Sequence, residues 1–301
     1  MKQLLKKILK KTGNSLVLPH LPPAPPDRRD SPEVKIQLAQ WFSELRRLAR
    51  NGDPLPAIAD VGASVYSQFE EDGYLLFLAA VLEISQQVFV EIGADNGINS
   101  NCANLAINLG WHGLFIDGND KAIDFGRRFY RNHRDTSFYP PRFVSSFVTA
   151  ENINELIRNA GFSGPVGICS IDIDGNDCWV WQALDAIDPA VVVIETHIEY
   201  GDRNIAVPYD PDYCYPGRHP DYNGASATAM VQLAQRKGYR LVGANRFGFN
   251  LIFVRHDLYP ERVPEVRVET LLKHPRQLER RAVFESVRHF EFIEEPFGSS
   301  K

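Results

Sequence analysis

Residues 239–255 read YRLVGAN-RFGF-NLIFVR: two apolar runs, Tyr239–Asn245 and Asn250–Arg255, joined by Arg246-Phe247-Gly248-Phe249. Each run has the composition of a buried strand. The four-residue link decides how they pair. Parallel neighbours need a dozen or more connecting residues, so these two runs must form an antiparallel hairpin.

Upstream, from residue 67, short apolar runs alternate with helical periodicity. The candidate strands are Val88–Gly93, Leu114–Asp117, Arg142–Val148, Ile168–Asp174 and Val191–Thr196. Helical stretches lie near 97–109, 119–133, 151–160, 177–187 and 225–237. Unbroken hydrophobic strands separated by helices predict a parallel sheet covered on both faces. The expected fold is therefore α/β: a doubly wound, seven-stranded, mostly parallel sheet that closes in an antiparallel hairpin of its sixth and seventh strands, with N-terminal helices added. Five βα units followed by such a hairpin is the layout of class I S-adenosylmethionine (SAM) methyltransferases. A plain NAD-binding Rossmann domain has no reason to end this way.

The 301 residues are 44% hydrophobic and 11% aromatic, enough for a large core and against global disorder. No uncharged apolar run approaches the ~18–20 residues of a membrane-spanning helix. The net charge of −5 is unevenly placed: residues 1–50 carry +7 and the remainder −12. A body this acidic is a poor binder of phosphate backbones, so nucleic acid is not an expected partner. Cys102, Cys169, Cys178 and Cys214 show no C-x-x-C pairing, which points to a reduced, cytoplasmic compartment.

Along the chain, residues 1–18 read as a basic amphipathic helix, with Leu4, Leu5, Ile8 and Leu9 on one face and Lys2, Lys6, Lys7, Lys10 and Lys11 around it. Residues 1–12 could lie on anionic lipid at the cytoplasmic membrane face as a weak peripheral contact, or simply dock as a terminal helix. Residues 19–32 are a Pro-rich linker. Residues 33–66 form an N-terminal helical extension whose helix, Glu33 to about Arg50, stops at Asn51-Gly52-Asp53-Pro54. Residues 67–256 hold the sheet domain, and 257–301 a C-terminal helical extension and tail.

In a doubly wound sheet, ligands sit beyond the carboxyl ends of the strands, beside the first. Here that strand ends in Glu91-Ile92-Gly93-Ala94-Asp95-Asn96-Gly97. Gly93 and Gly97 let the backbone turn sharply and approach a ligand. Asp95 occupies the place of the second glycine in a G-x-G-x-x-G pyrophosphate loop. An acid there repels a diphosphate and suits a cationic sulfonium–amino acid ligand. Asp117 ends the second strand, where it can accept both hydroxyls of an adenosine ribose or cap the next helix. The cofactor set read from the sequence is Glu91, Gly93, Ala94, Gly97 and Asp117, joined by Gln68, Glu71 and Asp72 near the preceding helix and by Ser146, with Ser145, after strand three. Ser67 and Glu70 also read as an S-x-x-E capping box for that preceding helix.

Four blocks carry a family resemblance: Ser67-Gln68-Phe69-Glu70-Glu71-Asp72-Gly73, Val90-Glu91-Ile92-Gly93-Ala94-Asp95-Asn96-Gly97, Gly110-Trp111-His112-Gly113-Leu114-Phe115-Ile116-Asp117 and Ser170-Ile171-Asp172-Ile173-Asp174-Gly175-Asn176-Asp177. From Ser67 to about Arg255 the chain resembles the FkbM-type SAM-dependent methyltransferases. Asn119 stands where a proline commonly follows the strand-two acid, and Asp174 where a glutamate is expected. The resemblance implies SAM as cofactor and O-methyl transfer, often to a sugar or polyketide hydroxyl.

Strand four ends in Asp172-Ile173-Asp174 and strand five in Glu195-Thr196-His197. Alternation predicts both aspartates on one side. Two mechanisms fit, besides pure positioning. His197 acts as general base oriented by Asp174 or Glu195, or Asp172, Asp174 and Glu195 hold Mg²⁺, which acidifies the acceptor hydroxyl. The 198–224 stretch is too long for a simple connector and is the expected acceptor lid. Tyr200, Arg203, Tyr209 and Tyr222 are its candidate contacts to a glycan or glycolipid, while Trp179 and Trp181 are expected in the core. Rival readings are a non-catalytic ligand-binding module in glycan assembly and, less favoured, a nucleotide-dependent oxidoreductase.

Overall fold

The computed structural model describes residues 29–298. The expected basic helix and most of the Pro-rich linker lie outside the described residues. The chain enters through α1 (Pro32–Asn51), started by the Ser31 hydroxyl, which accepts from Val34 N–H, and ended by Gly52 at φ +71°. Helix α2 (Glu71–Val81) is buried along its whole length. Then follow β1 (Val88–Ile92), α3 (Ala103–Ile107), β2 (His112–Asp117), α4 (Asp120–Asn132), β3 (Arg142–Ser145), α5 (Ile153–Asn159), β4 (Gly164–Ile171), α6 (Asp177–Ala183) and β5 (Ile187–Glu195). A two-residue strand β6 (Ile205–Ala206) precedes α7 (Ala227–Arg236), β7 (Tyr239–Ala244) and β8 (Asn250–Arg255). Short helices α8 (Val268–Leu271), α9 (Pro275–Arg280) and α10 (Phe284–Val287) lead to β9 (Ile293–Glu294), which pairs antiparallel with β6.

The main sheet runs β3-β2-β1-β4-β5-β8-β7. The first five strands are parallel, and β8 lies antiparallel to both β5 and β7. The expected hairpin is therefore real, and β8 inserts between β5 and β7. This is the class I methyltransferase fold. Consecutive strand residues face opposite layers: Phe89 packs with α1–α4, Val90 with α5–α7. Each fully buried large aliphatic or aromatic side chain contributes ~1.5–3 kcal/mol, and both faces are filled this way. Leu45 and Ala49 of α1 belong to the same core as α2.

Several boundaries differ from expectation. The helix expected over 97–109 is only Ala103–Ile107, because the preceding residues form the loop off β1. β3 stops at Ser145 rather than Val148, β4 at Ile171 rather than Asp174, and α6 at Ala183 rather than 187. The Ser67/Glu70 capping box does not form. Glu70 occupies the N-cap position of α2 without a side-chain cap, while its carboxylate binds Arg246 from the hairpin turn. The four cysteines are free, and no helix among the described residues is long and apolar enough to cross a membrane.

Candidate active site

Two corners meet at the carboxyl ends of the central strands. At the first, the chain leaves β1 through Gly93 (φ +87°), where a Cβ would collide with the Asp172 carbonyl. Gly97 (φ +69°) completes the turn against the Phe115 ring. Ala94 between them is buried, and Asp95 holds φ +51°. The Ile116 carbonyl accepts from the Gly93 and Ala94 N–H groups at 2.8 and 3.1 Å. Asp117 accepts from Asp95 N–H through Oδ2 and from Asn119 N–H through Oδ1, each at 2.7 Å. Loop and acid thus form one corner, and the cap on α4 is Asn119, accepting from Ala122 N–H at 3.3 Å. A carboxylate offers about four acceptor sites, so Asp117 keeps two for ligand hydroxyls.

Ser146 donates its N–H to the Asp117 carbonyl at 3.0 Å, and its hydroxyl donates to the Phe147 carbonyl. Ser145 is bonded to Asp120. Sequence reasoning passed over Phe147, whose ring is 64% exposed and packs against Gly118 beside Asp117. An aromatic residue just past strand three was the available signal.

Three carboxylates of the expected cofactor set are hydrogen-bonded within the fold. Glu91 accepts from Asn101 N–H at 2.9 Å and Cys102 N–H at 2.8 Å, tying β1 to the start of α3. Asp72 Oδ2 takes the N–H groups of Val65, Tyr66 and Ser67 at 2.6–2.8 Å. Glu71 bridges Asn245 and Asn250 of the hairpin at 2.8 and 2.9 Å. Burial raises Glu91 to about 7 and Asp72 to about 6, against the lowering effect of those amides. Gln68 is exposed on the turn before α2.

At the second corner, Asp172, Asp174 and Glu195 each bring one oxygen within 4.8 Å of the other two. Strand alternation is not what gathers the aspartates, because β4 ends before them and Asp174 adopts φ +59°. A turn does it, built by Asp177, which accepts from Ile173 and Gly175 N–H at 2.8 and 2.9 Å. Burial first, and then the neighbouring carboxylates, push Asp172 and Glu195 well above the usual carboxylate range. Glu195 Oε2 is buried with no partner among the described residues.

His197 does not join this group as expected. Its Nδ1 lies 3.8 Å from Glu199 Oε2, not beside Asp174 or Glu195. Its Nε2 is buried against Gly224 without a partner, and burial lowers its pKa. The four candidate lid contacts are engaged within the protein. Tyr200 is fully buried, donating to the Asn223 carbonyl at 2.7 Å and accepting from Asn223 N–H at 3.1 Å. Tyr222 stacks on Phe290 at 4.6 Å and bonds the Glu291 carbonyl. Arg203 lies 3.8 Å over the Phe284 ring, and Tyr209 donates to Glu151 at 2.5 Å. These side chains hold the 198–224 loop to itself, to the turn before α5 and to a C-terminal strap. Arg280 of that strap binds buried Glu199, with Nε 2.5 Å from Oε1, and Asp221 at 3.3 Å. The lid tyrosines that do turn toward the carboxylates are Tyr213, whose ring rests on Gly175, and exposed Tyr215, which feels the charges of Asp174 and Glu195. Trp181 is in the core and Trp179 donates to the Val207 carbonyl, as expected of structural residues.

No protein-family model matches the chain, and neither does any curated protein, so the FkbM-type resemblance rests on its four quoted blocks. Among solved structures, the chain is similar to an O-methyltransferase family protein from Burkholderia thailandensis, at 11% identity over 62% of this chain and 58% of that one, TM-score 0.37. It is also similar to the O-methyltransferase TomG from Streptomyces achromogenes in complex with SAM, at 16% identity over 74% and 96%, TM-score 0.38. A third is the N-terminal domain of EvdMO1, in the presence of SAH and D-fucose, at 12% identity over 71% and 95%, TM-score 0.42. Likenesses this distant add nothing to what the strand order already says of the fold.

Proposed function

We propose that the protein is a SAM-dependent methyltransferase acting on a hydroxyl of a carbohydrate or glycolipid acceptor. The observation that carries this reading is the single acidic corner made by the Gly93–Gly97 turn and Asp117, with Asp95 where a diphosphate would need a bare amide. That corner fits a cationic ligand bearing a ribose and repels a dinucleotide. Asp117 would hold the ribose hydroxyls, and the exposed Phe147 ring offers an apolar face beside them. Bound there, SAM supplies a methyl group already activated on its sulfonium.

The acceptor hydroxyl must still lose a proton. Asp172 and Glu195, held above their usual range, are stronger bases than ordinary carboxylates, and the unpartnered Glu195 Oε2 is the open acceptor. Tyr213 and Tyr215 supply aromatic surface for a sugar face. A second reading is favoured by the 4.8 Å convergence of Asp172, Asp174 and Glu195: oxygen ligands in this arrangement suit Mg²⁺.

Two measurements test the proposal. Asp117→Ala in a folded protein is expected to weaken SAM binding by ~1.5–3 kcal/mol, the range for hydrogen bonds to a charged group; unchanged calorimetric affinity would remove the ribose from this corner. Methyl incorporation into glycan and glycolipid extracts, with and without EDTA, tests the transfer. Loss in EDTA selects the Mg²⁺ reading, and intact SAM binding with no incorporation selects a non-catalytic binding module.

A further inference from the structure

The α4–β3 turn lies at the amino ends of the strands, away from both corners just described. Phe138 there is fully exposed (101%) and Tyr139 68% exposed, its ring resting 4.3 Å from that of His112 at the start of β2. Two adjacent aromatic side chains thus face water at one turn. Its surroundings are cationic. The outer face of α4 presents Lys121, Arg128 and Arg131, with Phe125 52% exposed among them; of its two exposed acids, Asp124 is paired to Arg127 at 2.5 Å and Asp120, in the first turn, is bonded to Ser145. Beside the turn opens a cavity of about 310 Å³ lined by Arg127, Arg131, Pro140, Pro141, Arg142 and Phe143. Five arginines, Arg127, Arg128, Arg131, Arg134 and Arg142, lie in this region, Arg127 also bonding the Phe143 carbonyl and Arg142 the Ala160 carbonyl.

The start of the described chain is pinned to the same place. Asp30 bonds His133 at 2.9 Å, Lys35 pairs with Asp135 at 2.6 Å, and Arg134 reaches the Asp30 carbonyl at 3.5 Å. Residues 1–28, which carry five lysines and one arginine against a single acid, therefore join the body next to the exposed aromatic turn.

We infer that the α4–β3 turn and the outer face of α4 form an anionic-membrane docking surface, with Phe138 and Tyr139 entering the headgroup layer and the arginine-lined cavity taking a lipid phosphate. Aromatic residues favour that interfacial layer, and basic residues near an anionic leaflet add attraction one by one. Duplex nucleic acid would use the arginines but gives a protruding phenyl ring nothing to enter. The geometry has a consequence: docking by this end turns the carboxylate corner away from the bilayer, toward a soluble acceptor or the far end of a long lipid-linked glycan.

The test is sedimentation of the full chain with phosphatidylcholine vesicles, with and without phosphatidylglycerol, at low and high salt. Binding is expected only with phosphatidylglycerol and is expected to fall with salt. Each arginine is worth ~1 kcal/mol near such a surface, so Arg128→Ala with Arg131→Ala lowers partitioning by ~30-fold. Phe138→Ala, a fully exposed change that leaves the melting temperature alone, lowers it by about tenfold. A chain lacking residues 1–28 keeps weakened binding, which the arginine pair then abolishes. Unchanged binding in the arginine and Phe138 variants overturns the inference and leaves any membrane contact to residues 1–28. Equal binding to phosphatidylcholine alone overturns it too, as does binding to a DNA or RNA duplex with none to vesicles.

Discussion

The carboxylates at the two ends of the site live in opposite circumstances. On the β1 side, backbone N–H groups reach both oxygens of Glu91 and of Asp117, which keeps two acceptor sites, while Asp72 takes three amides through Oδ2 and leaves Oδ1 buried without a partner. On the β4–β5 side, Glu195 Oε2 has no donor, and every leading influence on Asp172 raises its pKa. A buried acid that accepts several amides is a fastening, since it satisfies donors that would otherwise be orphaned. A buried acid with like charges and no donor costs stability, and folds keep such costs where chemistry needs them. By the like-charge half of that criterion we propose that the chemistry belongs to Asp172 and Glu195, while Glu91 and Asp72 hold the loops in place.

The largest expected effect follows from this contrast. Glu195→Gln removes a base and relieves repulsion in one step. Turnover should fall by ~10²–10⁴-fold, while the melting temperature stays level or rises. Asp172→Asn should behave alike. His197→Ala should cost less than tenfold in turnover, because its ring is sealed against Gly224 and paired toward Glu199. If turnover instead survives Glu195→Gln and collapses in His197→Ala, the histidine is the base and the contrast between the two corners means nothing for catalysis.

Glu91 should show the reverse signature. Glu91→Ala leaves the Asn101 and Cys102 amides unpaired in a dry site and should cost ~3 kcal/mol of stability, with SAM affinity changing only as the fold loosens. The pH dependence carries a sign. Glu91 titrates at about 7 in the folded protein, above the ~4.3 of an unfolded glutamate. The unfolded chain therefore gives up its proton first, and the contribution is fully present below pH ~4 and is lost as pH rises through 7. Denaturant melts of the native protein across that window should show this decline, and Glu91→Gln should flatten it. A native protein that gains stability from pH 5 to 7 would show another group dominating.

The same division explains what the sequence could reveal. The hairpin was legible because four linking residues exclude a crossover. The Gly93–Gly97 turn and Asp117 were legible because their partners are each other, close in the chain or on neighbouring strands. The partners of the lid side chains were not legible, for a physical reason. Tyrosines in a long loop suggest ligand contact, but Tyr200, Arg203 and Tyr222 are claimed by Phe284, Phe290 and Phe292 of the C-terminal strap, and no local pattern announces that pairing. The partners of Glu71 were hidden alike, Asn245 and Asn250 lying in the terminal hairpin. Asp172 and Asp174 were grouped correctly but through strand alternation, when the turn held by Asp177 does the grouping.

The smallest effect tests whether the strap belongs to the acceptor corner alone. Arg280 joins buried Glu199 to Asp221 and so clamps both ends of the 198–224 loop, with a side chain that is itself 43% exposed. Removing one partner of a buried pair leaves an uncompensated charge, but solvent reaches this arginine and reduces the loss. Arg280→Ala should therefore cost only ~1–2 kcal/mol globally. Its effect should concentrate in faster amide exchange across 198–224, while the Gly93–Gly97 turn keeps its protection. Acceptor KM should rise severalfold with SAM affinity unchanged, because Tyr213 and Tyr215 lose their support and Asp117 does not. Should SAM affinity fall in step with acceptor affinity, the strap serves the whole site, and the two corners are one cooperative unit.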